Sequence, residues 1–265
     1  MSAPTERPPV TVVTGAAGGI GRALCAGLLR QGHAVVAVCR SAVTPGELPA
    51  GARMVRADLA TQEGRNAVRE AVARHHGYLT GLVNNAGIGM GSIRPGYYKR
   101  PVRADELDAE TVARFLAVNA HAPVALALAL LPLFTEGWGR IVNVGTSLTA
   151  MLRPGFLPYA MSKAALESAS AVLALDLQAS GIGVCVLNPG GPVDTPMARR
   201  DEEELRGRLI PAETMVAPVA WALNRDTEGV NGQRVTATRF DPLAPAASLA
   251  PIGWPQLAND SSWTS

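Results

Sequence analysis

Lysine is almost missing from this 265-residue chain: Lys99 and Lys163 stand against 22 arginines. Arginine evidently serves wherever a generic positive charge suffices. A position that keeps lysine points to a need for a compact ammonium ion whose pKa can be moved. Histidine is also scarce. His33, His75, His76 and His121 show no metal-ligand spacing, which argues against a metal site. Only three cysteines occur (Cys25, Cys39, Cys185), scattered through apolar stretches. That excludes a disulfide framework and suits a reduced, cytoplasmic protein.

Charge of one sign is lacking too. The net charge of +2 makes no electrostatic case for nucleic acid or an anionic membrane. Met1–Pro9 has no signal-peptide core. The longest apolar stretch, Ala120 to Phe134, is interrupted by Pro123 and Pro132 and falls short of the roughly 20 residues that span a bilayer. There is no internal repeat.

What remains is a chain with 48% apolar residues, enough for one sizeable core. Short β-branched runs at Val10–Thr14, Ala34–Cys39, Arg53–Ala57, Leu82–Asn84, Arg140–Val144, Gly183–Leu187 and Gln233–Thr238 predict strands. Between them Gly19–Gln31, Gln62–His76, Ala109–Phe134, Tyr159–Ser180 and Ala212–Asn224 predict helices. This alternation implies an α/β, doubly wound Rossmann-type fold: a parallel sheet of about seven strands, helices on both faces. Residues 1–9 are expected to form a flexible lead-in, 10–240 a single domain, and 241–265 an extended tail. Gly87–Asp108 and Pro189–Pro211 break the rhythm as long loops after strands, where such folds place ligands. The second carries a charged segment, Arg199–Arg208, expected to form a short mobile helix.

After the first strand comes Thr14-Gly15-Ala16-Ala17-Gly18-Gly19-Ile20-Gly21, opening a helix. Gly15, Gly19 and Gly21 permit a tight turn and close approach of a pyrophosphate to a helix N-terminus. The second strand ends Val38-Cys39-Arg40-Ser41, without the carboxylate that would hold a ribose diol. Arg40 can grip a 2′-phosphate instead, which favours NADP(H).

Tyr159 and Lys163 lie four apart at a helix start, so both project from one face. A nearby ammonium favours the phenolate, so Lys163 is expected to lower the pKa of Tyr159 towards working pH.

The chain resembles the short-chain dehydrogenase/reductase family, in its compact single-domain branch. The resemblance rests on the loop at Thr14–Gly21, Asn84-Asn85-Ala86-Gly87, Asn119, Tyr159-Ala160-Met161-Ser162-Lys163, and Asn188-Pro189-Gly190 with Thr195 beyond. It implies that Tyr159 donates a proton, that Lys163 also binds the nicotinamide ribose, and that Asn119 holds a relay water. It implies cofactor contacts from Ala17, Ile20, Leu59, Asn85, Ala86, Gly87, Pro189, Gly190 and Thr195. Asp58 meets the adenine edge or caps the following helix.

Two departures stand out. Counting back thirteen residues from Tyr159 reaches Thr146, where the family usually has a serine, with Ser147 beside it. Threonine keeps the hydroxyl, so Thr146 is the expected carbonyl-orienting group and Ser147 the reserve. The turn from Pro189 to Thr195 is one residue longer than the usual pattern.

The expected pocket includes Ser147, Met151, Phe156, Gly191 and Met197. Tyr97 and Tyr98, in the insertion, either line it or lie on the surface. The resulting expectation is an NADPH-dependent ketoreductase or alcohol dehydrogenase for a small, apolar or bulky carbonyl compound, forming a homodimer or homotetramer. Alternatives are a nucleotide-sensing regulator without catalysis and a reductase of an imine or enone on the same fold.

Overall fold

A computed structural model of the protein describes residues 7–44, 46–198, 205 and 207–252. Eight strands form one sheet in the order β3-β2-β1-β4-β5-β6-β7-β8. They are β1 Val10–Thr14, β2 Ala34–Cys39, β3 Arg53–Arg56, β4 Gly81–Asn84, β5 Gly139–Val144, β6 Ile182–Asn188, β7 Gln233–Thr236 and β8 Leu249–Pro251.

The first seven pair in parallel, as the alternating pattern predicts. The eighth is a correction. Part of the expected extended tail turns back, and β8 pairs antiparallel with β7, Arg234 opposite Ala250. A three-residue strand containing Pro251 carries too little β-pattern to be read from sequence.

Among the described residues the α-helices are α1 Gly19–Arg30, α2 Gln62–His75, α3 Ala109–Leu116, α4 Ala122–Leu130, α5 Leu148–Met151, α6 Leu157–Asp176, α7 Val216–Asn224 and α8 Thr227–Val230. Side chains alternate across each strand and so build two cores. Val13, Val35 and Ala37 point towards α1 and α7, meeting Leu24, Leu28, Val219 and Leu223. Val12, Val36 and Val38 point the other way, onto Val68, Val72, Leu126, Leu130 and Leu173 of α2, α4 and α6.

The predicted helix Ala109–Phe134 is one helical run containing a π-turn at Ala117–His121. Counted from Ala109 to Leu133, it is long and apolar enough to cross a membrane by composition. Phe115, Leu126, Ala127 and Leu130 of this run are buried in the protein's own cores, while Leu128 is exposed. The π-turn adds a residue to the helix and swings Asn119 inward; such insertions cluster at functional sites.

Strand order reverses between β1 and β4, so their carboxyl ends open a crevice. Thr14 and Asn85 bridge its floor. The Thr14 hydroxyl accepts from the backbone N–H of Asn85 and of Ala86, both at 2.9 Å, and Asn85 Nδ2 donates to Thr14 O.

Candidate active site

Two connected clefts occupy that crevice. The first is lined by Gly15, Ala17, Gly18, Arg40, Asp58, Leu59, Ala86 and Gly87. Its glycines are required by shape. Gly15 has φ +64°, and a Cβ there would sit 2.9 Å from Ala86 Cα. A Cβ on Gly21 would lie 2.2 Å from Gly15 O. The backbone therefore folds tightly over the N-terminus of α1, whose N-cap Gly18 brings no side-chain acceptor. The open N–H groups and the helix dipole make a cradle for a phosphate group.

Arg40 is exposed at the mouth of this cleft, and no carboxylate engages it among the described residues. Asp58 lines the same cleft and does not cap α2. That task falls to Thr61, which accepts from Gly64 N at 3.1 Å, while Asp58 accepts from Ala60 N.

The second cleft, about 390 Å³, holds Thr146, Ser147, Tyr159, Lys163, Pro189, Gly190 and Thr195. Helix α6 starts with Pro158 in its first turn, where a missing N–H costs nothing, and so sets Tyr159 and Lys163 facing the end of β5. Thr146 lines the cleft beside Tyr159 and draws its phenol pKa down. Ser147 also lines the cleft, and its hydroxyl caps α5, accepting from Ala150 N at 3.4 Å.

Lys163 is buried, with Nζ donating to Val144 O at 2.8 Å and lying 6.0 Å from the Tyr159 ring centroid. Burial shapes both groups. It pushes the Tyr159 phenol up to about 12, against the downward pull of Thr146. It brings the Lys163 ammonium down to about 8. Burial is the largest influence on the phenol, and Lys163 is not among the groups that shift it. A phenol held this way keeps its proton at neutral pH.

Asn119 is a clamp. Its Oδ1 accepts from Ile88 N at 2.8 Å, and its Nδ2 donates to Ile88 O and to Ser162 Oγ. Both amide protons are thus taken by the protein, which ties the β4 loop to α6. Thr195 reaches the glycine loop despite the longer turn: a Cβ on Gly19 would meet Thr195 Cγ2 at 2.9 Å. Met151, Phe156, Gly191 and Met197 also line this cleft, with Ile20 and Gly87 at its inner wall. The charged segment at 199–208 lies mostly outside the described residues. Its flanks are joined where Asp194 N donates to Ile210 O at 2.8 Å.

Some contributors were expected only as members of pocket-forming segments. Arg153, Arg208, Met90 and Leu205 line the cleft, and of the two places left open for Tyr97 and Tyr98 the structure gives the cleft wall. Behind β4 and β5 runs a buried chain, Asn84 Nδ2 to Asn143 Oδ1 and Asn143 Nδ2 to Ser170 Oγ, each 2.8 Å. Asparagine inside an apolar strand was the available signal for it. No group of three His, Cys, Asp or Glu side chains that could hold a metal occurs among the described residues.

The sequence profile of the short chain dehydrogenases matches residues 9–206. The chain belongs to this family. Among relatives of this short-chain dehydrogenase is 2-(R)-hydroxypropyl-CoM dehydrogenase of Xanthobacter autotrophicus, 32% identical over 76% of this chain and 82% of the relative. The 3-oxoacyl-(acyl-carrier-protein) reductase FabG of Pseudomonas aeruginosa is 30% identical, over 85% of this chain and 94% of that protein. Solved structures show the same fold. A short chain dehydrogenase of Burkholderia cenocepacia in complex with NADP superimposes with a TM-score of 0.73 at 30% identity, covering 86% of this chain and 95% of that one. A 3-ketoacyl-(acyl-carrier-protein) reductase of Brucella melitensis complexed with NADH gives 0.72 at 26% identity, covering 85% and 95%.

Proposed function

We propose that this short-chain dehydrogenase is an NADP(H)-dependent carbonyl reductase, or alcohol dehydrogenase in reverse. The observation that carries the reading is the hydroxyl pair Thr146–Tyr159 beside buried Lys163, in a cleft continuous with the glycine cradle. NADPH, when bound, supplies the hydride. The chain's own residues do the rest. Tyr159, kept protonated by burial, gives its phenolic proton to the carbonyl oxygen as that oxygen gains charge. Thr146 orients the oxygen and donates a second hydrogen bond to it. Lys163 places a positive charge near the forming phenolate, and Asn119 acts as a positioning residue that holds the loop beneath it. Gly15, Gly19 and Gly21 accept the pyrophosphate over the α1 N-terminus. Asp58 and Leu59 flank the adenosine, Asn85, Ala86 and Gly87 form the floor, and Pro189, Gly190 and Thr195 close over the nicotinamide end.

The related structures differ in cofactor, one with NADP and one with NADH. Arg40 supports the choice made here. Its planar fork is free to bind a 2′-phosphate at the end of β2, where no carboxylate stands to hold a diol. Arg40→Ala is expected to weaken NADPH binding by about 1.5–3 kcal/mol, as for loss of a hydrogen bond to a charged group. NADH binding should barely change. Titration of both cofactors, with a carbonyl panel followed at 340 nm, checks this; equal losses, or a wild-type preference for NADH, would overturn it.

The assembly proposed is a homodimer through α4 and α6. Leu128, Val172 and Leu175 on these helices are exposed and apolar. The free edge of β7 is already taken by β8, which removes that strand as a pairing edge for a second copy. Light scattering should give twice 27.6 kDa, and Leu175→Glu should shift it towards the monomer.

A further inference from the structure

Among the described residues, the charge that lines the substrate cleft is of one sign. Its charged lining residues, among those described, are Arg153, Lys163 and Arg208; no Asp or Glu lines it. Lys163 is buried at the reaction centre. The two arginines are exposed at the surface of the same cleft, and no ion pair holds either guanidinium among the described residues.

Arg153 is also held in place. Its guanidinium carbon lies 4.1 Å from the Phe156 ring centroid and 4.8 Å from that of Tyr98. Those two rings stand edge to face, at an interplanar angle of 68°. The cation therefore sits in the angle between two aromatic faces. Stacking of this kind uses the flat surface of the guanidinium and leaves the N–H groups around its edge available. Tyr97, packed on both Tyr98 and Phe156, buttresses the arrangement from behind. Such a fork matches the planar oxygens of a carboxylate, sulfonate or phosphate. The rest of the cleft wall is apolar, with Met90, Met151, Val193, Met197 and Leu205.

We propose that the physiological substrate is a carbonyl compound with an apolar body and an anionic group, whose oxygens Arg153 and Arg208 bind. The inference rests on the carbonyl-reductase reading for the word "carbonyl" only; the anion site stands on its own geometry. Binding the charged end at the arginines fixes the register of the body along the apolar wall. The carbonyl then meets Thr146 and Tyr159 in one orientation, so the anion also selects the face that is reduced.

The test uses matched aryl ketones: 4-acetylbenzoate and 4-acetylphenylacetate, each against its neutral methyl ester. Calorimetry on the full chain saturated with NADP⁺ measures binding, and NADPH oxidation at 340 nm measures turnover. For wild type, at least one acid is expected to bind about 10- to 100-fold more tightly than its ester, the range for a hydrogen bond between charged groups. That preference should shrink with added salt.

Arg153→Gln keeps a planar, stackable side chain and removes the charge, and Arg208→Gln removes the second. Each should pull the acid-to-ester ratio towards one, and Arg153→Lys should restore part of it. The ester serves as an internal control, since a misfolded variant loses both ligands. Acids that bind no better than esters, or a ratio indifferent to both arginines, overturn the proposal. Acid-selective binding without any turnover leaves the anion site standing and defeats the reductase reading instead.

Discussion

Lys163→Met is expected to make the protein more stable and nearly inactive at once. The side chain is only 7% exposed, and its surroundings bring the ammonium from an ordinary 10.5 down to about 8 by desolvation. Each unit of such a shift corresponds to about 1.4 kcal/mol, so keeping the charge inside the fold costs on the order of 3 kcal/mol at neutral pH. Methionine fills similar space without that penalty. It also gives up the hydrogen bond to Val144 O, worth about 1.5–3 kcal/mol for a charged donor. The net gain is then up to about 1.5 kcal/mol, or roughly 3–6 °C in Tm for a chain of this size.

The pH dependence gives the result its signature. Because the folded-state pKa lies below the unfolded one, the native state binds fewer protons than the unfolded state between pH 8 and 10.5. The penalty is complete below about pH 8, shrinks as pH rises, and is gone above 10.5. The variant's advantage should follow it and vanish over the same window. Turnover should fall by about 10²–10⁴, the usual range for groups assisting proton transfer. Melting curves from pH 7 to 10.5 check the first part and steady-state rates the second. A variant less stable at pH 7, or an advantage flat across pH, would show that the burial of Lys163 carries no electrostatic cost.

That trade was only half legible in the chain. Lysine kept at position 163 in an arginine-rich sequence pointed to a movable pKa, and the structure moves it. For Tyr159, four-residue spacing shows that two groups share a face but not how dry that face is, and burial raises the phenol. The layers and the first seven strands were legible because alternation of β-branched and helical runs is a local pattern. The eighth strand was not: Leu249–Pro251 forms only because the edge of β7 is there to receive it. The same holds for the site. The glycine loop and the Tyr159–Lys163 pair are contiguous and were found. Arg153, Tyr97, Tyr98 and Arg208 meet only through the fold, from three separate loops, and no spacing announces them.

Thr146→Val should lower turnover by roughly 10²–10³, as for loss of one hydrogen bond to a developing oxyanion. Valine preserves the shape and the β-branch, so packing at the end of β5 survives while the donor disappears. Thr146→Ser keeps the hydroxyl and should retain most activity. The neighbouring Ser147→Ala supplies the contrast. Its hydroxyl is engaged as the N-cap of α5, so its loss should cost about 1 kcal/mol of stability and little turnover. A second readout separates chemistry from packing. The Thr146 side chain pulls the Tyr159 phenol down against the effect of burial, so Thr146→Val should raise that pKa further. In the oxidative direction, where Tyr159 must first lose its proton, the rise of rate with pH should move to higher pH in this variant. A near-wild-type Thr146→Val alongside a dead Ser147→Ala would shift the orienting role by one residue. If both variants stay active and the pH profile does not move, the carbonyl is held by Tyr159 and the cleft walls alone.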